Sequence, residues 1–75
     1  MRKLPPDEAR DLRRLSRPDA ARLFGIDRET LRRYENGDRQ PRADLVERMR
    51  QVYKLTDEEL RALLAWYFAR SRRAA

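Results

Sequence analysis

Two glycines, Gly25 and Gly37, are the only ones in 75 residues, and nowhere do β-branched residues alternate with polar ones as a strand requires. The chain therefore reads as all-α, with each glycine placed to end a helix.

The remaining boundaries follow from capping chemistry. A first helix is expected over about 6–14, because Pro6 is tolerated in a first turn and Asp7 and Glu8 suit the positive end of the helix dipole. Ala9, Leu12 and Leu15 would face inward. Ser16 is an N-cap for a second helix over about 17–24, with Pro18 in its first turn and Asp19 three residues on. Gly25 ends it, Ile26 lies in the turn, and Asp27 caps a third helix over about 28–36. Asn36-Gly37 closes that helix, and Asp38 to Pro41 form a loop. A fourth helix is expected over about 42–53, with Leu45, Val46, Met49, Val52 and Tyr53 as its apolar face. Thr56 with Glu59 forms a capping box for a fifth over about 57–71, followed by a frayed basic tail, 72–75.

A chain this short supports one core, so residues 1–75 are expected to make a single domain with its core over about 6–71. It has neither cysteine nor histidine, which excludes disulfides and the usual thiolate and imidazole metal sites, and it implies no cofactor. No pair of the remaining reactive side chains has a spacing that suggests acid–base or nucleophilic work, so no enzyme is expected. The basic N-terminus is not followed by an apolar run, so a soluble, cytoplasmic protein is expected, without a membrane partner. Nineteen basic residues against thirteen acidic give a formal charge of +6, and seventeen of the nineteen are arginine. That balance favours a polyanionic partner, because a guanidinium can grip a phosphate or a guanine edge with two parallel hydrogen bonds.

The segment Arg17 to Asn36 sets two short helices around a glycine-containing turn, the pattern of a helix-turn-helix. Ala21, Gly25, Ile26, Leu31 and Tyr34 supply the small residue, the turn and the apolar contacts that two closely crossing helices need, with Ala20, Leu23 and Phe24 behind them. Arg28, Glu29, Arg32, Arg33 and Asn36 are left on the polar side of the third helix.

In Leu15-Ser16-Arg17-Pro18-Asp19-Ala20-Ala21-Arg22-Leu23-Phe24-Gly25-Ile26 and Thr30-Leu31-Arg32-Arg33-Tyr34-Glu35-Asn36-Gly37-Asp38-Arg39-Gln40-Pro41, the sequence resembles the helix-turn-helix family of phage repressors, Cro proteins and small bacterial regulators. The resemblance covers about Leu12 to Leu60. It implies a compact five-helix bundle of the lambda-repressor-like type that binds double-stranded DNA, with the third helix in the major groove. It further implies that Arg28, Glu29, Arg32 and Arg33 meet base edges. Arg17, Asp27, Asn36, Arg39 and Arg42 would lie along the phosphates, and Glu35 would anchor Arg10. Three positions depart from the family pattern: Arg50 and Ala9 stand where other apolar residues are usual, and Lys54 where glycine is common.

On the last helix, Leu60, Leu63, Leu64, Tyr67 and Phe68 share one stripe, expected to be core. Trp66 falls outside it with Ala62 and Ala69, and these three are expected to form a homodimer interface for a pseudo-palindromic operator. A nucleoid-associated repressor is the default reading, since the chain has no room for a separate effector domain. The competing reading is a protein-interaction module, an antitoxin-like or polymerase-binding regulator, that binds its partner through helix 57–71.

Overall fold

A computed structural model describes residues 2–74, with side chains over 2–70. It contains five helices: α1 (Pro6–Asp11), α2 (Arg17–Phe24), α3 (Arg28–Asn36), α4 (Ala43–Val52) and α5 (Asp57–Ala74), and no strand among the described residues. Three helices open as their caps dictate. Ser16 Oγ accepts from Asp19 N at 3.2 Å, Asp27 Oδ1 accepts from Thr30 N at 2.8 Å, and Thr56 and Glu59 exchange two hydrogen bonds at 2.9 and 3.1 Å. Each satisfies a first-turn N–H that has no partner within its own helix.

Glycines end α2 and α3, with φ of 73° at Gly25 and 82° at Gly37. At Gly37 a side chain would also overlap Arg70, whose guanidinium lies over the Trp66 ring. Two other turns need the same left-handed backbone and lack glycine: Arg14 (φ 54°) after α1 and Lys54 (φ 50°) after α4. The glycine common at position 54 among the proteins this chain resembles now has a reason, since a side chain there costs about 1–2 kcal/mol. The turn is held from outside. Arg13 Nε donates to the Tyr53 carbonyl at 2.6 Å and its Nη2 to the Lys54 carbonyl at 2.8 Å.

The core gathers Ala20, Ala21 and Phe24 of α2, Leu31 and Tyr34 of α3, Leu45 and Met49 of α4, and Ala62, Leu63 and Tyr67 of α5, closed by Tyr53 and Leu55 between the last two helices. Phe24 and Tyr53 meet edge to face, with ring centroids 5.4 Å apart. Leu23, expected behind the α2–α3 contact, is exposed.

Three further expectations are corrected. α1 stops at Asp11 rather than near residue 14, so Leu12 lies beyond its last turn and is exposed. Leu4 and Pro6 are buried instead, together with the small Ala9. α5 continues to Ala74, as helix-forming alanines and arginines allow, so the expected frayed tail is helical through that residue; Ala75 lies outside the described residues. The buried side of α5 is also turned by roughly a quarter of a turn from the expected stripe. Ala62, Leu63 and Tyr67 are buried and Trp66 half-buried, while Leu64 and Phe68 are 42% and 64% exposed. The extended N-terminal segment accounts for the rotation: Leu4 N donates to the Ala62 carbonyl at 3.0 Å, so α5 turns its Ala62 side toward that segment. Arg50, half-buried, is accommodated at the edge of α4 by its ion pair with Glu47.

Candidate nucleic-acid interface

α3 has a buried side and an exposed side, with Thr30 at the boundary between them. Leu31, Tyr34 and Glu35 are buried, whereas Arg28, Glu29, Arg33 and Asn36 are exposed and Arg32 is half-exposed. A helix is about 10–12 Å across with its side chains, which matches the roughly 12 Å width of the DNA major groove.

The exposed charges are already organised. Glu29 accepts from Arg32 Nε at 3.0 Å and lies 3.6 Å from Arg33 Nε. The hydrogen bond from Arg32, with the nearby positive charges, holds the Glu29 carboxyl below its usual range. Glu29 thus positions two of the arginines expected beside it at base edges. Arg28 forms no ion pair among the described residues. Arg17, Pro18, Arg28, Glu29 and Arg32 line a concavity of about 390 Å³ where the start of α2 meets the start of α3. A second concavity, of about 430 Å³, lies against the Gly25–Ile26 turn and is lined by Arg39, Arg42 and Arg48, with Asp44 the one acid. Arg39 lies over the Tyr34 ring, 5.5 Å from its centroid, and Arg42 occupies the N-cap position of α4 with its side chain exposed.

Several residues hold this surface in place. The Glu35 carboxylate, 2% exposed, accepts from Arg10 Nε at 2.7 Å and from Arg17 Nε at 2.9 Å, tying α3 to α1 and to the start of α2. The pair with Arg10 is present, and Arg10 also donates to the Leu15 carbonyl at 2.8 Å. Arg17, expected at a phosphate, spends its Nε on Glu35, though 38% of its side chain stays exposed. Asp27 is likewise committed elsewhere. Its hydrogen bonds from Thr30, side chain first, hold it ionised as the cap of α3, and an anion with no proton to donate is poorly suited to phosphate. Asn36 is exposed at the last position of α3, with no side-chain partner among the described residues. Tyr67 of α5 donates its hydroxyl to the Tyr34 carbonyl at 2.9 Å, and Gln40 Nε2 donates to the Tyr67 carbonyl at 3.2 Å.

Sequence reasoning did not find Arg48, which donates to the Phe24 carbonyl at 2.9 Å. Its signal was faint, since a cation near a helix C-terminus is favourable but the sequence does not reveal which helix end it will meet. Ala62 is buried within its own chain and Trp66 packs edge to face on Tyr67, 5.0 Å between centroids, so neither presents the open apolar surface expected of it; Ala69 is half-buried. No acidic cluster suited to a metal ion occurs among the described residues. Among the same residues, no helix is long and apolar enough to cross a membrane.

A search of curated proteins and a search of solved structures give no match. A family model described as a helix-turn-helix domain matches residues 7–64, which runs from the first turn of α1 into α5 and includes every residue discussed around α2 and α3 except those of α5 beyond it. With a capped helix pair, a glycine turn between its members and an exposed, arginine-bearing second helix, the chain belongs to the helix-turn-helix domain family, a fold suited to DNA binding.

Proposed function

We propose that this chain is a sequence-specific DNA-binding regulator of transcription, a repressor that acts by occupying its operator rather than by catalysis. The observation that carries this reading is the exposed face of α3, where Arg28, Arg32 and Arg33 project from a helix fixed by Asp27, Gly37 and Glu35. Arg28 and Arg33 are the base readers in this reading, since arginine can bridge guanine O6 and N7, with Glu29 setting the orientation of Arg32 and Arg33. Arg39 and Arg42, with the exposed part of Arg17, lie along the phosphates, and Asn36 sits beside them.

The molecule measures 30 × 25 × 20 Å, and its one recognition helix can read one groove. Successive major grooves on one side of DNA lie roughly 34 Å apart, so two copies on a pseudo-palindromic operator would double the sequence read. The pairing is proposed to form on DNA, at the nucleoid, and does not rely on Trp66.

Selection from a random duplex pool, followed by fluorescence anisotropy on the selected and scrambled duplexes, tests the reading. Affinity is expected to fall steeply with salt. Arg28→Ala or Arg33→Ala should each cost about 1–3 kcal/mol on the selected duplex and relax preference at single base positions. Arg39→Ala should weaken both duplexes alike. Negligible binding to every duplex at low salt would overturn the proposal.

A further inference from the structure

A third concavity, larger than the two beside α2 and α3, lies away from the α2–α3 surface. It is a groove of about 750 Å³ between α5 and the segment that links α3 to α4, with Pro41, Val46, Leu64 and Phe68 among its apolar walls and Lys3 and Arg61 as its charges. Neither Lys3 nor Arg61 forms an ion pair among the described residues. From Leu60 to Ala75 the sequence has four arginines and no acidic residue. The groove's walls are therefore mostly apolar, and the two charges that line it are both positive.

We propose that this groove docks an amphipathic helix of a partner protein whose apolar stripe is flanked by aspartate and glutamate. An apolar trough takes the i, i+3, i+4, i+7 face of a helix, and Lys3 and Arg61 select a partner with acids beside that face. The same features disfavour other occupants. DNA phosphates gain nothing from walls of proline, valine, leucine and phenylalanine. A flat membrane surface cannot fill a concavity. A second copy carries the same formal charge of +6 and would set like charges against Lys3 and Arg61. Because the groove stands apart from Arg28 and Arg33, its partner is separable from DNA binding.

Two labelled synthetic helices of about 16 residues, long enough to hold helical structure, provide the test. Both carry the same leucine and phenylalanine stripe, one flanked by glutamate and aspartate, the other by lysine. With the full chain, anisotropy is expected to show the acidic helix bound at least about tenfold tighter. Leu64→Asp and Arg61→Glu, both at exposed positions, should each weaken it about tenfold, and Phe68→Ala should weaken it without any change of charge. Leu12→Asp makes the same charge change at an exposed site outside the groove and should leave binding within about twofold, as should Arg33→Ala, with circular dichroism unchanged throughout.

The proposal is overturned if the two helices bind alike, or if Leu12→Asp is as damaging as Leu64→Asp. It is overturned equally if the chain sediments as a dimer that Leu64→Asp dissociates, or if phosphatidylglycerol vesicles bind through Leu64. Duplex affinity, measured on the same variants, is expected to fall only with Arg33→Ala, so failure of the groove and failure of the DNA reading remain distinct.

Discussion

The segment from Ser16 to Gly37 and the connection from Val52 to Thr56 both turn the chain between helices, but they satisfy the backbone in different ways. The first uses residues whose own chemistry suits each position, with serine and aspartate as caps and glycine at both positive-φ positions. The second places Lys54 in the left-handed region and relies on Arg13, some forty residues away, to satisfy the carbonyls of Tyr53 and Lys54. Buried hydroxyls differ likewise. Tyr67, packed on α3, finds the Tyr34 carbonyl, whereas Tyr53 Oη is buried without a hydrogen-bond partner among the described residues. Burial pushes the Tyr53 phenol well above its ordinary pKa, so the hydroxyl stays neutral. The contrast teaches that the part of the chain presenting the recognition helix is consistent at the level of local sequence. The α4–α5 connection is consistent only once α1 has docked.

Glu35 is the exception, and it gives the largest effect. It is the buried acid through which the locally consistent segment leans on α1, and Glu35→Ala leaves Arg10 without its carboxylate. Unfolding in urea should show a loss of about 3–5 kcal/mol. A loss below about 1 kcal/mol would mean that α2 and α3 hold together without α1.

Next comes Arg13→Ala, which removes the donor to the part-buried Tyr53 carbonyl and to the solvent-exposed Lys54 carbonyl and should cost about 1.5 kcal/mol by the same measurement. Hydrogen exchange should localise its effect to residues 52–56. If protection is lost evenly over the whole chain instead, the connection does not depend specially on this clamp.

Gly25→Ala should cost about 1–2 kcal/mol through backbone conformation alone, because the space beside Gly25 accommodates a methyl group. The sharpest form of the comparison is the opposite substitution in the other region. Lys54→Gly should raise the thermal midpoint, with a gain of up to about 1 kcal/mol after the added freedom of the unfolded chain is counted. Tyr53→Phe, which removes the orphan hydroxyl, should give a gain of similar size. Destabilisation by both would show that the connection is as well fitted as the helix-turn-helix.

This contrast also explains what could be read from the sequence. The bounds of α2 and α3 were legible because Ser16, Gly25, Asp27 and Gly37 act within a few residues of themselves. The exposed face of α3 was legible too, since it is what remains once Leu31 and Tyr34 are buried. The short α1, the rotation of α5 and the burial of Leu4 were not, because each depends on how the N-terminal segment lies against α5. The arginines show the same limit. Nothing local distinguishes Arg13, Arg17 and Arg48, which reach Tyr53, Glu35 and Phe24, from Arg28 and Arg33, which reach outward. At Glu35 the expectation of an Arg10 partner came from family resemblance, and Arg17 was added by the fold.

The grip of Arg13 on two successive carbonyls bears on how arginine and lysine can be exchanged in this chain. Reaching both acceptors takes two N–H groups, Nε and Nη2, fixed in one plane, and Arg10 uses Nε and Nη1 in the same way on Glu35 and Leu15. An ammonium on a flexible stem has no such plane, whereas a position that faces a phosphate asks mainly for positive charge. Lysine scanning would therefore divide the cations of this protein into those that build it and those that serve its surface, a division that net charge, unchanged in every such exchange, cannot register.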